Sequence, residues 1–383
     1  QNYADDKLWE ARKGESGALY LYLGEFDNSG PVPALTGKRI DLATADYSDG
    51  TRWFNLNDTA EVLEALGGLF SSGKDAPGAT SFGGLFVRND VRGDAAASVT
   101  GHTLSSGGNL AVTARQDARI IAQDISSVSA DSNALNVVIA NNTVLDAAEA
   151  LVSGSTLTAA GNLSVTADNN SRILARVDSS MEAEVSVGVV MAFNSIGWVP
   201  QNLWDNAVDA VIGTEGENEA PSRTRAIVTG TSLDAGGDLS VLASWDGEID
   251  ALIGSSSLAI TVSKKGGASV NVAPVIAMNR ISAETEAQIL NATAIDAAGD
   301  VTVVATSATA IQSDVKSSSI AVTAGGGGAS SVSIAFGSSR NVIDSDVSAR
   351  IDGSGLNGTP TAMTAGGDVI VQTRREATID AVG

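Results

Sequence analysis

The sequence predicts an all-β protein that folds as a parallel β-helix (β-solenoid) with a small N-terminal β module and loop insertions. Two repeated features and the composition predict this class. A glycine-containing turn followed by a strand pattern recurs five times, and an asparagine after an apolar stretch also recurs five times. Aromatic residues make up only 4% of the chain, too few for the core of a sandwich or an α/β enzyme. Small and β-branched residues suit thin, stacked strands instead.

The turn is the first repeated feature. Glycine adopts positive φ without steric cost, and Asn or Asp bonds to its own backbone in a turn. The residues that follow alternate between apolar and polar, which is a strand signal. The five copies are Gly107–Val112, Gly161–Val165, Gly236–Val241, Gly299–Val303 and Gly366–Val371.

The asparagine is the second repeated feature. Three of its five separations from the next turn glycine are 19, 19 and 20 residues, and the two longer separations indicate insertions. We expect a strand to end at each asparagine and a further strand to follow. In stacked coils the asparagine amides would form a ladder along the axis, each bonding to the next coil. The alternative is that each is a simple surface turn. The five residues are Asn89, Asn142, Asn194, Asn279 and Asn341.

The chain divides into an N-terminal region and a repeat region. Residues 1–57 hold most of the tyrosines and are expected to form a small aromatic β module that begins inside a copy of its own motif. Residues 58–80 are expected to form a short helix, with Asp58 as its N-cap, and a linker. Residues 81–383 carry the solenoid repeats. Both ends of the chain resemble positions inside a repeat, so we expect a longer polypeptide.

An insertion interrupts the repeats at residues 197–225. It carries Trp198, Trp204 and an acidic run. It is either a ligand-contact loop, because loops often carry function, or a passive excursion whose tryptophans pack on the solenoid wall. The passive interpretation is favoured.

Charge and composition limit the functions that are open to the chain. The formal net charge of −22 disfavours nucleic acid and anionic membranes as partners. No apolar run is long enough to span a bilayer, and there is no cysteine to act as a nucleophile. The single histidine, His102, lies in a turn before a strand, where an exposed turn residue is expected rather than a general base. We expect no catalytic site, no cofactor and no enzymatic activity.

Carboxylates are the remaining candidates for chemistry. Three pairs spaced i, i+2 would each share one strand face, and a solvated outer face explains them more simply than acid–base catalysis. They are Glu182/Glu184, Glu284/Glu286 and Asp344/Asp346. Single turn aspartates recur at Asp238, Asp300 and Asp368, where a satisfied turn is favoured and a bound Ca²⁺ is the weaker alternative.

The repeats also carry a family likeness. The sequence Gly236–Val241, the pair Ile249-Asp250-Ala251 and the run Val185–Ile196 resemble the β-strand repeats of giant bacterial surface proteins. These include leukotoxin-like and filamentous haemagglutinin-like adhesins. The motif at residues 41–53 resembles a module interspersed among such repeats. The resemblance implies secretion, a β-helical shaft and a role in adhesion or in a matrix.

We therefore expect a structural or adhesive segment of a long extracellular filamentous protein, at the bacterial cell surface or in a matrix. Its expected partners are other copies of itself or glycans and proteins of cell surfaces and matrices, with no nucleic acid and no membrane insertion in this segment. The alternative is a polysaccharide-binding or polysaccharide-modifying β-helix protein. The insertion tryptophans and the carboxylate pairs favour that alternative.

Overall fold

The computed structural model describes residues 80–199, 219–263, 268–325, 330–353 and 361–383, together with four short strands nearer the N-terminus. Those four strands pair antiparallel within residues 1–57. Strand β1 (Tyr20–Tyr22) pairs with β4 (Trp53–Asn55), and β2 (Phe26–Asp27) pairs with β3 (Ala34–Leu35). Of the helix and linker expected over residues 58–80, residues 58–79 lie outside the described residues, and Thr80 is the first residue of a strand.

The main body is a stack of parallel strands in five coils, and each coil contributes to each of three sheets, with one strand per sheet except that coil 3 places two strands in one of them. Coil 1 consists of β5 (Thr80–Thr100), β6 (Thr103–Ser106) and β7 (Leu110–Ser129). Coil 2 consists of β8 (Asn133–Ser153), β9 (Thr156–Ala159) and β10 (Leu163–Glu182). Coil 3 consists of β11 (Val185–Ile196), β12 (Ser222–Thr229), β13 (Ser232–Ala235) and β14 (Leu239–Ser263). Coil 4 consists of β15 (Ala268–Leu290), β16 (Ala294–Ala297) and β17 (Val301–Gly325). Coil 5 consists of β18 (Ser330–Asp352), β19 (Met363–Ala365) and β20 (Val369–Val382).

The three sheets give the solenoid its cross-section. The front sheet contains β5, β8, β11, β12, β15 and β18, and the back sheet contains β7, β10, β14, β17 and β20. The side sheet joins them through the short strands β6, β9, β13, β16 and β19. Every pairing between coils is parallel, so equivalent residues of successive coils form rows along the axis. The expected all-β parallel β-helix is therefore confirmed.

Alternation along each strand determines which side chains form the core. In the back sheet Val165, Val241 and Val303 form one row and are fully buried. In the side sheet Leu157, Leu233 and Ile295 form a second buried row. Because a strand presents successive residues to opposite faces, the residues between them point outward. Stacking therefore buries an apolar face that no single coil could bury alone.

Two boundaries differ from those predicted from the sequence. The strand expected to end at each asparagine continues through it, so that Asn142 lies inside the 21-residue strand β8. Pairing with neighbouring coils on both sides of the asparagine keeps the strand extended. The insertion was expected to end at Arg225, but Ser222–Thr229 is strand β12. That strand is held in register by β8 on one side and β15 on the other.

No helix in the described part of the chain is long and apolar enough to cross a membrane.

Candidate functional site: side-chain ladders and the outer face

The five repeated asparagines lie in one row of the front sheet. Register places Asn89 beside Asn142, and the row continues through Asn194 and Asn279 to Asn341. Each Nδ2 donates a hydrogen bond to the Oδ1 of the next asparagine, over 2.8, 2.8, 2.8 and 2.9 Å. The structure therefore brings all five candidates together in a continuous ladder.

The chemistry of the amide explains why asparagine occupies this row. An amide has both a donor and an acceptor, so one side chain can bond to the coil before it and the coil after it. Asn142, Asn194 and Asn279 are at most 1% exposed, so an unpaired amide there would carry the full cost of desolvation. Shifting a coil by one residue would turn its asparagine outward and break two bonds. The ladder thus fixes the register of the coils.

A second ladder runs along the turns between the side and back sheets. The Oδ1 atom of Asn109 accepts a hydrogen bond from the backbone N–H of Asn162, over 2.9 Å. The same bond repeats from Asn162 to Asp238, from Asp238 to Asp300 and from Asp300 to Asp368, over 3.0, 3.0 and 2.8 Å. The sequence predicted satisfied turns at these aspartates but did not predict that they bond between coils.

This second ladder also explains the glycine before the turn residue in coils 2 to 5. A β-carbon on Gly237 would overlap the Oδ1 atom of Asn162, and a β-carbon on Gly299 would overlap that of Asp238. Gly161 and Gly367 stand in the same relation to the coils before them. The Gly-Asx pair is therefore a single structural unit: the side chain of one coil lies in the space that the glycine of the next coil leaves free.

The insertion returns to the front sheet beside its own starting point. Trp198 and Glu219 form an antiparallel bridge, and the guanidinium of Arg280 lies 4.8 Å from the centre of the Trp198 ring. The hydroxyl of Ser282 donates to Oε1 of Glu219 over 2.5 Å. Trp198 therefore packs on the outer wall of coil 4. Trp204 lies outside the described residues.

Outward carboxylates of the front sheet take part in ion pairs between coils. Arg225 of coil 3 lies 2.8 Å from Glu284 and 3.0 Å from Glu286 of coil 4, and 3.9 Å from Glu149 of coil 2. Arg223 lies 3.5 Å from Glu284. The pair Glu284/Glu286 therefore shares one face, as its spacing predicts, and contacts arginine there.

The other two carboxylate pairs lie elsewhere on the surface. Glu182, Asp344 and Asp346 are exposed, and Glu184 is half-buried. His102 is exposed in a turn, where its backbone N–H donates to the hydroxyl of Ser155. In the described ranges, no group of three or more His, Cys, Asp or Glu side chains is placed to hold a metal ion.

The interior also contains a polar network that sequence reasoning missed. The carboxylate of Asp146 accepts hydrogen bonds from the hydroxyls of Ser171, over 2.6 Å, and Ser222, over 2.5 Å. The indole Nε1 of Trp245 donates to Ser222 over 3.1 Å. These residues come from four strands in coils 2 and 3, and no short motif links them. The network connects the front and back sheets where the chain re-enters the solenoid after the insertion.

No family model matches the chain, and no curated protein or solved structure matches it either.

Proposed function

We propose that this chain is a structural or adhesive segment of a long extracellular filamentous repeat protein, in which the solenoid acts as a shaft. The observation that supports it best is the asparagine ladder, with four consecutive buried or half-buried bonds that each join one coil to the next. Such an interaction serves stacking and not turnover. Stability in such a stack is the sum of neighbour interactions, which suits a protein that grows along one axis.

The turn ladder and the ion pairs support the same proposal. Both join successive coils, and both repeat or extend across at least three of them. We also propose that the protein lies outside the cell and associates with surfaces or matrices. This part of the proposal is supported by the resemblance of the repeats to those of surface adhesins.

A comparison of four variants tests the proposal against an enzymatic alternative. Glu182→Ala and Asp344→Ala change exposed carboxylates and should alter the free energy of unfolding by less than about 0.5 kcal/mol. Val165→Asp and Val241→Asp place an unpaired charge at fully buried positions and should prevent stable stacking. Thermal melts measure these effects, and an assay of acidic polysaccharide degradation runs beside them. Turnover by the wild type that is lost in either alanine variant would overturn the shaft proposal.

A further inference from the structure

An open groove of about 610 Å³ lies on the outer face of the front sheet, across coils 1 to 3. One row crosses it, with Asp94 in coil 1, Ala147 in coil 2 and Arg223 in coil 3. Ala147 has the smallest side chain of the three and leaves a gap between the other two. Since coils are about 4.8 Å apart, the strands that carry Asp94 and Arg223 are separated by roughly 10 Å, the width of a small polar ring with its substituents.

The walls of the groove have unused hydrogen-bonding capacity. Asp94 makes no hydrogen bond or ion pair within the described residues. Among the residues that the structure describes, Arg223 has a single ion pair, from Nε to Glu284, and its terminal nitrogens make no hydrogen bond there. Arg92 bonds to Asp90 through Nε and Nη2, which leaves Nη1 as a further donor. A ligand between these walls would meet the carboxylate of Asp94 and a guanidinium donor of Arg92 on the coil 1 side, and the guanidinium donors of Arg223 on the coil 3 side.

Apolar surface and charge balance restrict the class of ligand. Leu145 and Pro221 add apolar surface to the lining. Two guanidinium groups and two carboxylates present their charges to the groove: Arg92, Arg223, Asp94 and Glu149. The carboxylate of Asp146 points into the solenoid, where it bonds to Ser171 and Ser222. An anionic ligand therefore gains little from the groove and is repelled by a chain of net charge −22. Hydroxyl groups, which both donate and accept, match both walls, and the C–H face of a sugar ring matches the apolar surface.

We propose that this groove binds one unit of an uncharged saccharide, with ring hydroxyls donating to Asp94 and accepting from Arg223 and Arg92. The proposal rests on the adhesive side of the proposed function, for which it names a partner and a position. The binding surface lies on paired strands on the outside of the solenoid, so a ligand can occupy it without disturbing the ladders inside.

Isothermal titration of the full chain with uncharged trisaccharides of glucose, galactose, mannose and N-acetylglucosamine tests the site. At least one should bind with a Kd on the order of 1 mM or tighter. Ala147→Leu fills the groove from an outward position and should weaken binding at least tenfold, as should Asp94→Ala. Ala310→Leu makes the same change on the outer face of the back sheet and should leave binding unchanged. A uronate trisaccharide should bind at least tenfold more weakly than the best uncharged one at low salt.

Absence of saturable binding by all four sugars would overturn the proposal, as would unchanged binding by Ala147→Leu. Tighter binding of the uronate would overturn the assignment of an uncharged ligand. Thermal melts separate these failures from failure of the shaft proposal, because filling the groove leaves both ladders intact.

Discussion

The indole ring of Trp245 occupies the space in which a β-carbon on Gly247 would lie. Both residues point into the solenoid from β14, two positions apart, and the ring is 1% exposed. The largest side chain of the core therefore depends on a neighbour that has no side chain.

Gly247→Ala should destabilise the protein by about 1–3 kcal/mol, because the added methyl group forces the Trp245 ring away from its packed position. In a Trp245→Leu background the same change should cost much less. Urea unfolding of the single and double variants measures the coupling. Gly107→Ala is the matched control, since a β-carbon there would meet nothing within 4 Å. Equal losses in both backgrounds would contradict the steric explanation.

Asn194→Ala should lower the free energy of unfolding by roughly 2–4 kcal/mol, because it leaves the Nδ2 of Asn142 and the Oδ1 of Asn279 buried without a hydrogen-bond partner. Asn170→Ala is the same substitution at an exposed position on the outer face of the back sheet and should cost less than about 0.5 kcal/mol. Denaturant unfolding of both variants compares them. Similar small losses would show that the ladder bonds add nothing to stability.

Asp300→Asn should be neutral or slightly stabilising. An amide oxygen can accept the N–H of Asp368 as Asn162 accepts that of Asp238, and the change removes a like charge from the row Asp238, Asp300 and Asp368. Asp300→Ala loses the acceptor and should cost about 1 kcal/mol. Melts at low and high salt should show that any gain from the asparagine shrinks as salt screens the row. If Asp300→Asn and Asp300→Ala destabilise the protein equally, the hydrogen bond accepted by the side-chain oxygen does not contribute to stability.

Asp124 points into the core from β7 in a row with Val177, Ile253 and Val315. Burial raises the pKa of its carboxyl, so the folded chain holds this proton at a pH where the unfolded chain has released it. Asp124 therefore lowers the free energy of unfolding as pH rises from the ordinary pKa of a carboxyl, about 3.9, to the raised pKa in the folded state. Above the raised pKa this loss of stability stays constant.

Asp124→Asn should accordingly be more stable than the wild type at pH 7, and this advantage should shrink as pH falls through that window. Melting temperatures over a pH series measure the difference between the two proteins. Asp131→Asn, at an exposed position, provides the control. An advantage that is independent of pH would exclude ionisation as its cause.

Arg225→Met should destabilise the solenoid by about 1 kcal/mol, because Glu149, Glu284 and Glu286 lose a half-buried partner that joins three coils. A double-mutant cycle with Glu284→Gln isolates the strongest pair. Arg115→Met breaks a more exposed pair with Asp117 and should cost less. A coupling energy near zero would mean that the cluster does not hold the restarted strand β12 in register.

The sequence alone determined the repeating coil and the row of asparagines in the front sheet, but not the bonds that the turn aspartates form between coils. Parallel stacking in register places every repeated residue beside its equivalent, so a period in the sequence becomes a row in space. The asparagine row and the Gly-Asx turns were predictable for this reason, even though the strands run through the asparagines and do not end there.

Only the tertiary structure decided which side chains meet across the interior and which gaps open outside. Asp146, Ser171 and Ser222 come into contact because the front and back sheets face each other in coils 2 and 3. The period of the repeats does not indicate which residues of two facing sheets will be in contact. The dependence of Trp245 on Gly247, and the groove over Ala147, likewise arise from differences in side-chain size between neighbouring positions. Periodicity specifies which residues share a row, whereas packing determines how much space each member of the row leaves to its neighbours.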